Sequence, residues 1–170
     1  MRENAPIIVT ALFGDEDFAW LDGLRRAHYP PGRNIVPAHL TLFHHLPPSI
    51  APELKQRLIE ETRDSTPPSA DIYRVRHLGK GVAFDVQSPE LAAIRERLAE
   101  AFTGLLTPQD SAGWNPHITI QNKVEPAASK TLHAELSADF EPRPLRIAGL
   151  ASHYYRGGPW DPIAQYKFRR

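Results

Sequence analysis

The chain has 170 residues, the size of one domain or of two small lobes sharing a core, and its 41% apolar and 24% charged residues are those of a globular protein. Twenty Lys plus Arg balance twenty Asp plus Glu, which removes the global pull on polyphosphate that a strongly basic protein has, so any nucleic-acid contact must be local. Cysteine is absent, which excludes disulfides, thiolate nucleophiles and Cys-ligated metal sites.

Ile7-Ile8-Val9-Thr10-Ala11-Leu12-Phe13 is an apolar, β-branched run closed by Gly14, and it predicts a buried strand. It is far too short to span a membrane, and with no leader-like pattern ahead of it a cytoplasmic protein without a membrane segment is expected. Asp15 offers an N-cap, and Phe18, Leu21, Leu24 and His28 recur at helical spacing until Tyr29-Pro30-Pro31-Gly32 stops the pattern. A strand is expected over roughly Ala38 to Leu46, then a helix opened by Pro47-Pro48-Ser49 with Ile50, Leu54 and Leu58 on one face. After the polar loop Thr62 to Ser69, strand character returns at Ile72 to Leu78, and Gly79-Lys80-Gly81 turns it into a hairpin with Val82, Phe84 and Val86. Ser88-Pro89 starts a helix with the stripe Leu91, Ile94, Leu98, Phe102 and Leu105. A loop through Gly113 leads to a strand from His117 to Val124. Pro126 then opens a helix carrying Ala128, Leu132 and Leu136, and two strands, Leu145 to Tyr155 and Ile163 to Phe168, flank the turn Arg156-Gly157-Gly158-Pro159-Trp160.

In this order the second half repeats the first, with pseudo-repeats of about 33–87 and 111–168. The expected fold is α+β, a single domain over 1–170 in which a duplicated unit forms two lobes with antiparallel sheets, outer helices and a central cleft.

The matched strands open with His39-Leu40-Thr41-Leu42 and His117-Ile118-Thr119-Ile120, each just after a proline. Because side chains alternate along a strand, His39 and Thr41 share one face, as do His117 and Thr119, while the apolar residues take the other. Residues two apart lie about 6 to 7 Å apart, a gap that one phosphate fills while touching both imidazole and hydroxyl. One His-x-Thr is within reach of chance in a chain with eight histidines; two, at equivalent places of a repeat and with apolar residues at the alternate positions, are not. Two imidazoles, which titrate near neutral pH, can supply both a general base and a general acid.

With these two motifs on the strands of a duplicated α+β unit, nearly the whole chain resembles the 2H phosphoesterase superfamily, in particular its 2′-5′ RNA ligase-like branch. The resemblance implies a metal-independent, cofactor-free phosphodiesterase that opens 2′,3′-cyclic phosphates or cleaves related 2′-linked diesters; whether ligation accompanies this stays open. It implies His39 and His117 as the catalytic pair and Thr41 and Thr119 as holders of the phosphate oxygens. The implied partner is an RNA terminus, a short oligonucleotide or a cyclic nucleotide, with no obligate protein partner. The chain departs from that branch after each motif, where His44-His45-Leu46 and Gln121-Asn122-Lys123 stand in place of an aromatic-Leu-Gly and a close-following basic residue.

Continued alternation brings Phe43 and His45 to the chemical face of the first strand, and Gln121 and Lys123 to that of the second. Phe43 is then a platform for a base and Lys123 a cation for phosphate. Tyr155 and Arg156, in the aromatic-rich last turn, are further candidates for contact with a nucleotide. The cluster His39, His44 and His45 is not expected to bind a metal, since on one strand His39 and His45 lie roughly 20 Å apart and His44 faces the other way. The competing reading is a binding module for nucleotides or RNA ends that uses the same cleft without turnover.

Overall fold

The computed structural model of the protein describes residues 4–170. β1 (Ile7–Phe13) is the predicted apolar run, and it is buried because it has a neighbour on each side: β2 (Leu40–Leu46) and β7 (Ile147–Tyr154), both antiparallel to it. β8 (Asp161–Lys167) completes a four-stranded sheet of order β2-β1-β7-β8. The second sheet has the order β5-β4-β3-β6, from β3 (Asp71–His77), β4 (Val82–Gln87), β5 (His117–Gln121) and the two-residue β6 (Arg143–Pro144). The fold is thus α+β with two antiparallel sheets, and the two motif-bearing strands β2 and β5 are both sheet edges that lie against each other. An edge position tolerates the prolines, Pro37 and Pro116, that precede each motif.

The hairpin that follows each motif strand joins the other motif's sheet. β3 and β4 follow β2 yet lie in the sheet of β5, whereas β7 and β8 follow β5 yet extend the sheet of β2. The helices cross in the same way. α1 (Asp15–His28) connects β1 to β2 but packs on β5, with Trp20 stacked 5.3 Å from Phe84 of β4. α3 (Pro89–Ala101) connects β4 toward β5 but sends Arg95 to the Leu42 carbonyl of β2. α2 (Ala51–Thr62) lies on β7 and β8, and α5 (Pro126–Ala138) on β3 and β4. One contiguous apolar core results, running from Leu40, Leu42 and Leu46 through Leu54, Leu58 and Leu98 to Ile118 and Ile120.

Local chemistry explains most element boundaries. Ser88 caps α3 as its sequence predicts, its Oγ accepting the Leu91 N–H at 3.1 Å. α1 is capped instead by Gly14, without a side-chain bond, and Asp15 falls inside the first turn with Glu16 and Asp17, where acidic groups favour the helix dipole. α3 ends at Ala101, four residues short of Leu105, which is exposed. The following loop holds a further short helix, α4 (Pro108–Ser111), that positions Asp110. The β3–β4 turn closes at Leu78 N–H to Gly81 O, and Gly81 is required there because a Cβ would meet the Gln121 carbonyl of β5.

Each motif strand departs from plain alternation just past its threonine. Along β1, Val9 pairs with Phe43 and Thr10 with Thr41, leaving Leu42 as an extra residue in β2. Along β4, Val82 pairs with Gln121 and Ala83 with Thr119, leaving Ile120 as the extra residue in β5. These are matched β-bulges, and each shifts the phase of the side chains just after it; in β2 a second shift, between the Ile7 and Val9 pairings, returns Leu46 to the core.

Candidate active site

The two motif strands form the walls of a cleft of about 530 Å³ lined by His39, Thr41, His117 and Thr119 together with His44, Arg76, Arg95, Asp110, Trp114 and Trp160. Both histidines are held by the same local device. The His39 Nδ1–H donates to the Pro37 carbonyl at 2.9 Å, and the His117 Nδ1–H donates to the Asn115 carbonyl at 2.9 Å. A carbonyl only accepts, so in each ring Nδ1 carries the proton and Nε2 is the nitrogen left for chemistry.

The walls are tied across the cleft. The Trp114 indole N–H, from the loop before the second motif, donates to the Thr41 carbonyl at 3.0 Å. Arg95 donates from Nε to the Leu42 carbonyl at 3.1 Å and from Nη2 to the Asp110 carbonyl, with its guanidinium 4.4 Å from the Phe43 ring centre. Arg25 of α1 does the same for the other strand, donating from Nη1 to the Thr119 carbonyl at 2.9 Å and from Nε to Asn34 at 2.8 Å. Both arginines are buried, and desolvation lowers the pKa of each. Edge strands leave backbone acceptors unpaired, and these buried guanidinium groups satisfy them.

Trp160 closes one end. Its ring stands edge-on to His39 with centroids 4.6 Å apart and lies 5.4 Å from His153. His39 is open to the cleft yet set deep among packed atoms, and desolvation pushes it down to about 4, helped by the charges of Arg25, His44 and His117. Burial also lowers His153, whose Nε2 lies 3.1 Å from the Thr10 hydroxyl. At the other wall, Asp85 of β4 stands in register with His117 and is fully buried between two arginines, 2.6 Å from Arg74 and 2.7 Å from Arg76. Arg76 therefore brings a paired cation to the cleft on the His117 side.

The remaining residues expected at the site lie elsewhere, those on the motif strands because of the bulges. Phe43 is fully buried in the core, packed under Arg95, and offers no face to a base. His45 is exposed but does not line the cleft, whereas His44, expected to face away from His39, lines it. Gln121 is buried, and among the described residues its Oε1 has no hydrogen-bond partner. Lys123 sits beyond the end of β5 in a turn at φ 61 and is outside the cleft lining. Tyr155 is exposed, and Arg156 bonds Asp161 at 3.2 Å; their turn reaches the cleft through Trp160 instead.

Of the lining residues that sequence reasoning missed, Trp160 and Trp114 carried a signal. Trp114 is a lone large aromatic in a Gly- and Pro-containing loop just before the second motif, and Trp160 belongs to the aromatic-rich last turn. Arg76 stands on a predicted strand with Arg74 two residues before it, a basic pair on one face. Asp110 and Arg95 carried none. Among the described residues no cluster of three or more His, Asp or Glu side chains is arranged to hold a metal, and no helix is long and apolar enough to cross a membrane.

This architecture is shared with solved structures. TT0787 of Thermus thermophilus superposes with a TM-score of 0.66 at 15% identity, covering 96% of this chain and 98% of that one. LigT of E. coli in complex with 3′-AMP gives 0.61 at 16% identity, over 99% of this chain and 100% of LigT, and LigT in complex with NADP+ gives 0.61 at 15% identity over the same shares. At these identities the likeness shows the fold. No curated protein matches the chain in sequence. The family model described as the 2′-5′ RNA ligase superfamily matches residues 13–159, a span that takes in both histidine strands, Arg25, Arg95 and Trp114, and the chain belongs to that superfamily of 2H phosphoesterases.

Proposed function

We propose that the protein is a phosphodiesterase acting on 2′,3′-cyclic phosphates, or related 2′-linked diesters, at RNA ends or on nucleotides. The observation that carries this reading is the pair of imidazoles fixed alike through Nδ1, each beside a threonine, on facing edge strands of one cleft. That LigT has been crystallised with 3′-AMP, NADP+ and ATP supports a nucleotide as the class of ligand.

The roles divide by environment. Desolvation keeps His39 uncharged at neutral pH, the state in which Nε2 accepts a proton from water. The hydroxide attacks phosphorus in line, the P–O bond to the ribose oxygen breaks, and His117 gives that oxygen its proton. The Thr41 and Thr119 hydroxyls donate to the non-bridging oxygens as charge gathers there. A net charge of zero suits a substrate recognised at one phosphate and its neighbourhood more than extended duplex.

The test is a panel of 2′,3′-cyclic mononucleotides and a cyclic-phosphate-ended oligonucleotide, assayed with and without EDTA. Turnover is expected in both conditions, with a loss of about 10²- to 10⁴-fold in His39→Ala and in His117→Ala. Full activity in either variant overturns the scheme, and binding without turnover across the panel shows a binding module instead.

A further inference from the structure

We propose that His44, held from behind by Asp110, binds a second phosphate group of the ligand, separate from the one between His39 and His117. The proposal takes from the phosphodiesterase reading only the place of the first phosphate.

The bulged stretch of β2 turns His44 into the cleft, where its side chain keeps 45% of its surface exposed. Behind it Asp110 is 1% exposed. Burial pushes that carboxyl up, but bonds from the His44 ring and the His44 and His45 amides outweigh it and hold Asp110 below the usual carboxylate range. Its short bonds are the two amides, at 2.8 and 2.9 Å; the His44 Nδ1 contact is long, at 3.4 Å. The amides therefore fix the strand, and the ring is spare to it.

The ring contact sets an orientation. Nδ1 faces Asp110, and among the described residues no hydrogen bond takes up Nε2. A ring that donates to a carboxylate from one nitrogen and to an anion from the other is imidazolium, with its charge matched on both sides. Arg95, which also lines this end, adds positive charge while its own bonds go to the Leu42 and Asp110 carbonyls. Thr41 and His44 are three residues apart on a bulged strand, under about 10 Å. Successive phosphates of a nucleotide chain bridge such a span, and so do the 3′ and 5′ phosphates of one nucleotide.

The test is calorimetric binding of adenosine 3′-phosphate, adenosine 3′,5′-bisphosphate and a diadenosine nucleotide ending in a 3′-phosphate. In the wild type the second phosphate tightens Kd by about tenfold in at least one of the last two, and which one identifies its source. His44→Gln loses that gain, read as the ratio of Kd for each two-phosphate ligand to Kd for adenosine 3′-phosphate in the same variant, while His44→Lys, which restores a cation, recovers most of it. The Asp110 bonds to backbone amides persist in both variants, so their melting temperatures serve as the control on folding. A gain that survives in His44→Gln, or no gain for either two-phosphate ligand in the wild type, overturns the proposal. Failure of the catalytic reading is seen separately, as absent turnover of cyclic phosphates with this binding pattern intact.

Discussion

Trp160 stands edge-on to His39, so the imidazole proposed to take a proton from water sits under an indole. The consequence is a pH profile displaced from that of free imidazole. With His39 at about 4, its uncharged form persists through mildly acidic pH, and kcat/KM for a cyclic mononucleotide is expected to fall only as pH drops through about 4. Trp160→Ala admits water, relieves the desolvation and moves this acid limb up toward 6.5; an unchanged limb in that variant refutes the role of the indole. The same shift links to stability. A histidine whose folded pKa is depressed contributes stability that is complete above 6.5 and lost as pH falls toward 4, because the unfolded chain then binds the extra proton. His153, also lowered by burial and also against Trp160, acts in the same direction. The melting temperature is therefore expected to decline across that window, and less steeply in Trp160→Ala.

At the level of elements, the motif strands depend on arginines from helices that cross over from the opposite sheet. Arg95→Met keeps much of the packing on Phe43 but strips donors from the Leu42 and Asp110 carbonyls. Two buried acceptors left unpaired cost about 1–3 kcal/mol each, so a loss of about 2–6 kcal/mol is expected in urea unfolding; a loss under about 0.5 kcal/mol means that water replaces the guanidinium. These straps also mark the limit of what is legible in the sequence. β1 can be read to the residue from its apolar run, and the two histidine strands, the Gly79–Gly81 turn and the α3 cap all follow from period and turn chemistry. His39, Thr41, His117 and Thr119 come to one cleft because alternation holds up to each threonine. It fails one residue later. A bulge adds a residue to one strand relative to its partner and leaves no trace in hydropathy, so Phe43 and His44 exchange the places that alternation gives them. Arg25 and Arg95 carry no signal in the sequence, because the carbonyls they serve lie far away along the chain, on strands whose edge position hydropathy does not reveal.

Across the whole molecule, each sheet draws on strands from both halves of the chain, and each is tied to a helix that connects strands of the other, α1 by packing on β5 and α3 by the Arg95 bond to β2. Neither lobe is complete without the other. Thermal unfolding is accordingly expected as one transition with equal calorimetric and van't Hoff enthalpies, and two resolved transitions count against this interlocking. The balanced charge bears on kinetics: with no net field to steer an anion, association with a cyclic mononucleotide is expected to change little with ionic strength beyond the local screening of the cleft cations, and a steep salt dependence of kcat/KM contradicts this.

The bond from the Trp114 indole to the Thr41 carbonyl crosses from one wall to the other, and it turns the cleft into a caliper of fixed opening. Widening the gap means breaking this bond and prising β2 from β5. On the proposed phosphodiesterase reading, walls braced in this way select by fit, admitting phosphorus centres whose entering and departing oxygens match the spacing between them, so that discrimination would rest on that gauge before any base is read.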